Sequence, residues 1–113
     1  MTFFEITHTE RAGWQRRAAA ELVAILDNHR DLPVIAWTVG PAGAWLTGRI
    51  NGLAPAEQVR ASFDAWRAAL GIGEHTQTPS GSGIAYLHAV TRRNRVRVGL
   101  TATIFDHDQG HDR

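Results

Sequence analysis

Val34-Ile35-Ala36-Trp37-Thr38-Val39-Gly40-Pro41-Ala42-Gly43-Ala44-Trp45-Leu46-Thr47-Gly48-Arg49-Ile50 reads as two strands joined by a turn. Residues 34–39 and 44–50 are rich in β-branched and aromatic side chains, and the Gly-Pro-Ala-Gly between them has the composition of a hairpin connection. Pairing Val39 with Ala44 places Ile35, Trp37, Leu46 and Ile50 on one face, because strand side chains alternate. Val34, Ala36, Thr38, Trp45, Thr47 and Arg49 fall on the other. The first set is a core face. The second carries a tryptophan and an arginine that no core requires.

The same order of elements recurs along the chain. Upstream, Thr7-His8-Thr9-Glu10 has the spacing of a capping box, so a helix begins near Thr7 or Thr9. Trp14, Ala18, Leu22, Ile25 and His29 then recur at helical intervals on one stripe. Pro33 ends this segment, since the residue before a proline is pushed out of the helical region. Downstream, Pro55 opens a second helix at its first helical position. Val59, Phe63, Trp66 and Leu70 form its apolar stripe, and Gly71 closes it in the left-handed conformation.

Residues 71–83, rich in Gly, Ser, Thr and Pro, read as a long loop. A second hairpin follows over 84–91 and 95–105, turning around Arg93-Asn94. With Thr91 opposite Val96, its inner face is Ala85, Leu87 and Ala89 against Val98, Leu100 and Ala102. Its outer face is Ile84, Tyr86, His88 and Val90 against Arg95, Arg97, Thr101 and Thr103.

These elements predict an α+β domain over residues 1–105, in the order (β)αββαββ. Two helices cover one face of an antiparallel sheet of four or five strands, a two-layer sandwich. If residues 3–6 supply a first strand, the order is ferredoxin-like with one strand added. Residues 106–113, with Asp106, Asp108 and Asp112 beside His107 and His111, read as a flexible acidic, histidine-containing tail.

Composition narrows the function classes. A chain of 113 residues with 43% hydrophobic and 20% charged residues is one globular domain. It has no cysteine, which excludes disulfides, thiol nucleophiles and thiolate metal sites. No apolar run approaches the roughly 20 residues that span a bilayer, and residues 1–6 do not read as a signal peptide, so a cytoplasmic protein without membrane partners is expected. All 12 basic residues are arginine, as GC-rich bacterial coding produces. Arginine also grips phosphates and carboxylates with a planar fork and stacks on aromatics. Residues 84–105 hold Arg92, Arg93, Arg95 and Arg97 and no acid, whereas the tail is acidic.

Catalytic and metal motifs are missing. The six histidines, at positions 8, 29, 75, 88, 107 and 111, form no ligand motif. Ser80 and Ser82 lack the strand-to-helix setting of a nucleophile elbow, and Pro79-Ser80-Gly81-Ser82-Gly83 lacks the lysine and following helix of a phosphate loop. No cofactor and no metal are expected, and nothing specific argues for an enzyme. Trp14, Trp37 and Trp66 sit on apolar stripes and read as core anchors, and His29 reads as a boundary residue at a helix end.

The candidate site is the outer sheet face: Trp45, Thr47, Arg49, Tyr86, His88, Arg95 and Arg97. An exposed tryptophan needs a cover, and Trp, Tyr and Arg are enriched at interface hot spots. The first reading is a non-catalytic interaction module that forms a homodimer through the sheet face or its edge. The second is single-stranded nucleic acid, with bases stacked on aromatics and arginines on phosphates. The third is a ligand or catalytic pocket around Tyr86 and His88.

Overall fold

A computed structural model of the chain describes residues 7–40, 43–79 and 83–105. Residues 3–6, the acidic tail, Pro41, Ala42, Ser80 and Ser82 lie outside the described residues.

The first helix, α1, spans His8–Asn28 and begins where the capping box places it. Thr7 Oγ1 accepts from the Glu10 amide at 3.1 Å, and Glu10 Oε1 accepts from the Thr7 amide at 3.0 Å. Two otherwise orphaned N–H groups are satisfied reciprocally. Strands β1 (Ala36–Val39) and β2 (Trp45–Ile50) follow, then α2 (Ala56–Ala69). Pro55 caps α2 one position earlier than anticipated, and Gly71 ends it at φ 73°, a backbone region natural to glycine. The last strands are β3 (Thr76–Pro79), β4 (Ile84–Arg93) and β5 (Val96–Phe105).

Among the described residues the sheet has five strands in the order β1-β2-β5-β4-β3. It is mixed, which corrects the antiparallel expectation. β1 with β2, β5 with β4 and β4 with β3 are antiparallel, but β2 and β5 run parallel. The cause is β3, a strand within the segment read as loop. The crossover through α2 brings β3 in parallel to β2, and a three-strand meander then brings β5 in parallel to β3. A bare hairpin after α2 would have reversed β5. The fold is also not ferredoxin-like: that order seats a strand preceding α1 beside β2, and β5 holds that place.

Both hairpins keep the predicted faces and shift their registers by two residues, a step that preserves parity. Val39 pairs with Leu46 rather than Ala44, and the Gly40 amide donates to the Trp45 carbonyl at 2.8 Å. Arg93 pairs with Val96, leaving Asn94 and Arg95 as a two-residue turn at φ 51° and 68°. Positive φ at both central residues is the signature of the type I′ turn, whose twist matches the strands it joins.

The core lies between the helices and the inner face. Ala18 and Ile25 of α1 and Val59, Phe63, Trp66 and Leu70 around α2 pack on Leu46, Ile50, Leu87, Ala89, Val98, Leu100 and Ile104. Each fully buried large side chain contributes about 1.5–3 kcal/mol. Trp66 anchors the assembly, donating Nε1–H to the Pro33 carbonyl at 2.8 Å and meeting Trp37 edge-on at 5.5 Å between centroids. His29 is half-buried at the helix C-cap with its ring against Trp66. Trp14 departs from expectation and stands half-buried outside the core cluster. The 21 residues of α1 extend about 31 Å, farther than the short strands beneath them.

Glu21 joins the two ends of the fold. It is buried on α1 at 6% exposure and accepts from Arg93 Nε at 3.2 Å and Asn94 Nδ2 at 2.7 Å. The Asn94 side chain thus ties the β4–β5 turn to the helix layer. Glu21→Ala leaves both donors without that acceptor. The Arg93 side chain is 32% exposed and rehydrates in part, so the expected loss is about 1–2 kcal/mol, read as a lower urea midpoint. An unchanged midpoint would contradict a stabilising role for this contact.

Candidate interaction face

Among the described residues, the helices cover one face of the sheet and leave the other open. On the other, strand pairing sets side chains into rows. Trp45, Arg97 and Arg92 form one row across β2, β5 and β4. Thr38, Thr47, Gly99 and Val90 form the next. Arg49, Thr101, His88 and Thr76 make a third, and Thr103, Tyr86 and Thr78 a fourth. No described residue of these rows is acidic.

The first row has the most defined geometry. The Arg97 guanidinium carbon lies 5.0 Å from the centroid of the Trp45 ring, within reach of a cation–π contact. Trp45 remains 46% exposed, as does Tyr86. Arg97 and Arg92 are exposed beside each other, so two cationic forks lie in line on the β5 side of the indole. The fixed spacing of β2, β5 and β4 positions them, because alternation leaves these side chains no inner-face option. In the second row Gly99 presents no side chain, which leaves a dip between Thr47 and Val90.

Six of the seven predicted residues share this face: Trp45, Thr47, Arg49, Tyr86, His88 and Arg97. Arg95 does not. It occupies the I′ turn, since the second hairpin closes on fewer loop residues than the sequence reading allowed. The same shift makes Arg92 a member of the face, a residue that reading had left in the loop. Its signal was the Asn94-Arg95 step, because asparagine tolerates positive φ and marks two-residue turns.

His88 borders a shallow cleft at the β3 side with Glu74 and His75, and Tyr86 is not part of it. Among the described residues no hydrogen bond links His88 to either of these groups, and no cluster of three or more His, Asp or Glu side chains is arranged to hold a metal. No described helix is long and apolar enough to cross a membrane.

The arrangement is thus an open mixed sheet with an aromatic and cationic face. Comparison of the chain with protein-family models, curated proteins and solved structures finds no match.

Proposed function

We propose that this chain is a non-catalytic, cytoplasmic interaction module whose open sheet face binds single-stranded nucleic acid. The Trp45–Arg97–Arg92 row carries the reading: a half-exposed aromatic followed by two guanidiniums in line on the neighbouring strands, on a face whose described residues include no carboxylate. Bases offer π-faces to Trp45 and Tyr86, and phosphates match the forks of Arg97, Arg92 and Arg49. Threonines along the remaining rows supply hydroxyl donors.

The charge pattern weighs against the first expectation in one of its forms, self-association face to face. A two-fold stack would bury Arg49, Arg92 and Arg97 between two copies of a face whose described residues include no acid. Unpaired buried charge of that kind is strongly unfavourable. Self-association through an edge carries no such conflict.

Titration of intrinsic tryptophan fluorescence with single-stranded homopolymers tests the proposal. Quenching is expected at low salt, and three phosphate contacts give a slope of log K against log salt of about −2. Absence of any response at low salt, with all four homopolymers, would refute nucleic-acid binding.

A further inference from the structure

The aromatic side chains of the outer face are not evenly spread. Tyr86 and His88 stand two residues apart on β4, in neighbouring rows, opposite Thr103 and Thr101 of β5. Both are exposed. Trp45 stands apart from them in the first row, two strands away, where Arg97 and then Arg92 separate it from the far side of β4.

Strand register turns this pattern into distances. Residues two apart on one strand face are about 6.6 Å from each other, and neighbouring strands are about 4.8 Å apart. Arg92 shares the row of Trp45, and His88 and Tyr86 follow it at the fourth and sixth positions along β4. Trp45 therefore lies about 16 Å from His88 and about 22 Å from Tyr86 across the face.

We infer that the face holds one extended strand of about five nucleotides, with a base on Trp45 at one end and successive bases on His88 and Tyr86 at the other. This rests on the nucleic-acid reading of the same face. A nucleotide stacked in a duplex advances about 3.4 Å along its own strand, and an unstacked one pulled straight spans about twice that. One straight step carries the chain from His88 to Tyr86. Three steps carry it from Trp45 to His88. A mononucleotide or dinucleotide reaches one of the two aromatic stations and never both. Bases stacked at duplex spacing do not fit the His88–Tyr86 interval, and within a duplex their faces are already covered.

The guanidiniums bracket the same path. Arg97 stands beside Trp45 at its start. Arg49 lies to one side of the line from Trp45 to Tyr86, in the row of His88, and Arg92 lies to the other side, in the row of Trp45. The line crosses β5 between Gly99 and Thr101, so no large side chain of that strand stands in it. A strand laid along the diagonal thus has a cation near its first phosphate and one on each flank, with rings at both ends. A path straight along β4 or along the first row would meet only one of the two stations.

Fluorescence titration of the full chain with oligothymidylates of two to eight nucleotides tests the inference. Affinity is expected to rise by about fivefold or more between three and five nucleotides, the gain from added stacking, and to level off beyond six. Tyr86→Ala is expected to weaken the six-nucleotide ligand by about fivefold or more and to leave the quenching by the three-nucleotide ligand unchanged, because that signal comes from the Trp45 station. Tyr86→Phe keeps the ring and is expected to bind as the wild type does. Equal affinity for three and six nucleotides would overturn the inference, as would equal loss at both lengths in Tyr86→Ala, and either result leaves nucleic-acid binding itself in place. No binding at any length would remove both.

Discussion

Trp45→Ala lowers affinity for single-stranded oligonucleotides by about 1–3 kcal/mol, roughly five- to 150-fold, if one base stacks on the indole. The fold should be unaffected, because Trp45 is on the uncovered face and 46% exposed. Arg97→Glu is expected to cost more. It removes a phosphate partner, puts a carboxylate beside the incoming chain, and takes the cation from the indole it overlies at 5.0 Å. The double variant should lose less than the sum of the two, since the residues act as one platform. Arg95→Glu, in the turn, should have the smaller effect of a charge outside the rows. Binding isotherms at one low salt concentration, with thermal unfolding as a control for folding, distinguish these outcomes. Equal loss in Arg95→Glu and Arg97→Glu would mean that net charge, not the face, drives binding.

Gly48→Val destabilises the protein by about 2–3 kcal/mol, the upper range for overpacking a close-packed interior. Gly48 is on the inner face of β2, opposite Trp37 and Leu100. A Cβ there would lie 2.8 Å from Ile35 Cδ1, 3.1 Å from Leu100 Cδ2 and 3.1 Å from Trp37 Cη2. Two effects compete. A side chain restricts the unfolded state and recovers about 0.5–1 kcal/mol relative to glycine, while the crowding costs energy. For Gly48→Ala the nearest neighbour is the tip of a flexible side chain, so the two nearly cancel. The extra methyls of valine press on Trp37 and Leu100 as well, and crowding dominates. Urea midpoints for the two variants check the order. A valine variant as stable as wild type would mean that the Trp37 side chain has room to move.

The division of faces was legible in the sequence because it depends only on alternation. Errors of two residues in both hairpins left Trp45, Thr47, Arg49, Tyr86, His88 and Arg97 where they were expected. Whatever depended on the number of loop residues was not preserved, which moved Arg95 off the face and Arg92 onto it. The helices were legible because caps and apolar stripes are local: Thr7 with Glu10, and Val59 with Phe63, Trp66 and Leu70. Strand direction was not local. It turned on Thr76–Pro79, four exposed residues with no apolar member to signal a strand. That segment is held by its ladder to β4 and by contacts such as Arg60 Nη1 to Gln77 Oε1 at 3.0 Å. Gly48 had the opposite problem. A glycine within a strand pattern reads as weakness, and its value appears only once Ile35, Trp37 and Leu100 converge on it.

The seat of β5 has a consequence for how the protein is made. The strand at the middle of the sheet is the last of the described elements to leave the ribosome, and it must insert beside β2, where Trp45 meets Arg97 from far along the chain. Until residues 96–105 emerge, the first hairpin and both helices have no central strand to close on. Their apolar surfaces wait for translation to reach the C-terminal region. Pairings of such sequence separation form slowly and leave hydrophobic surface open to aggregation in the interval. Ribosome-bound chains halted just before residue 96 should therefore be protease-sensitive throughout, and become resistant in one step once β5 clears the exit tunnel.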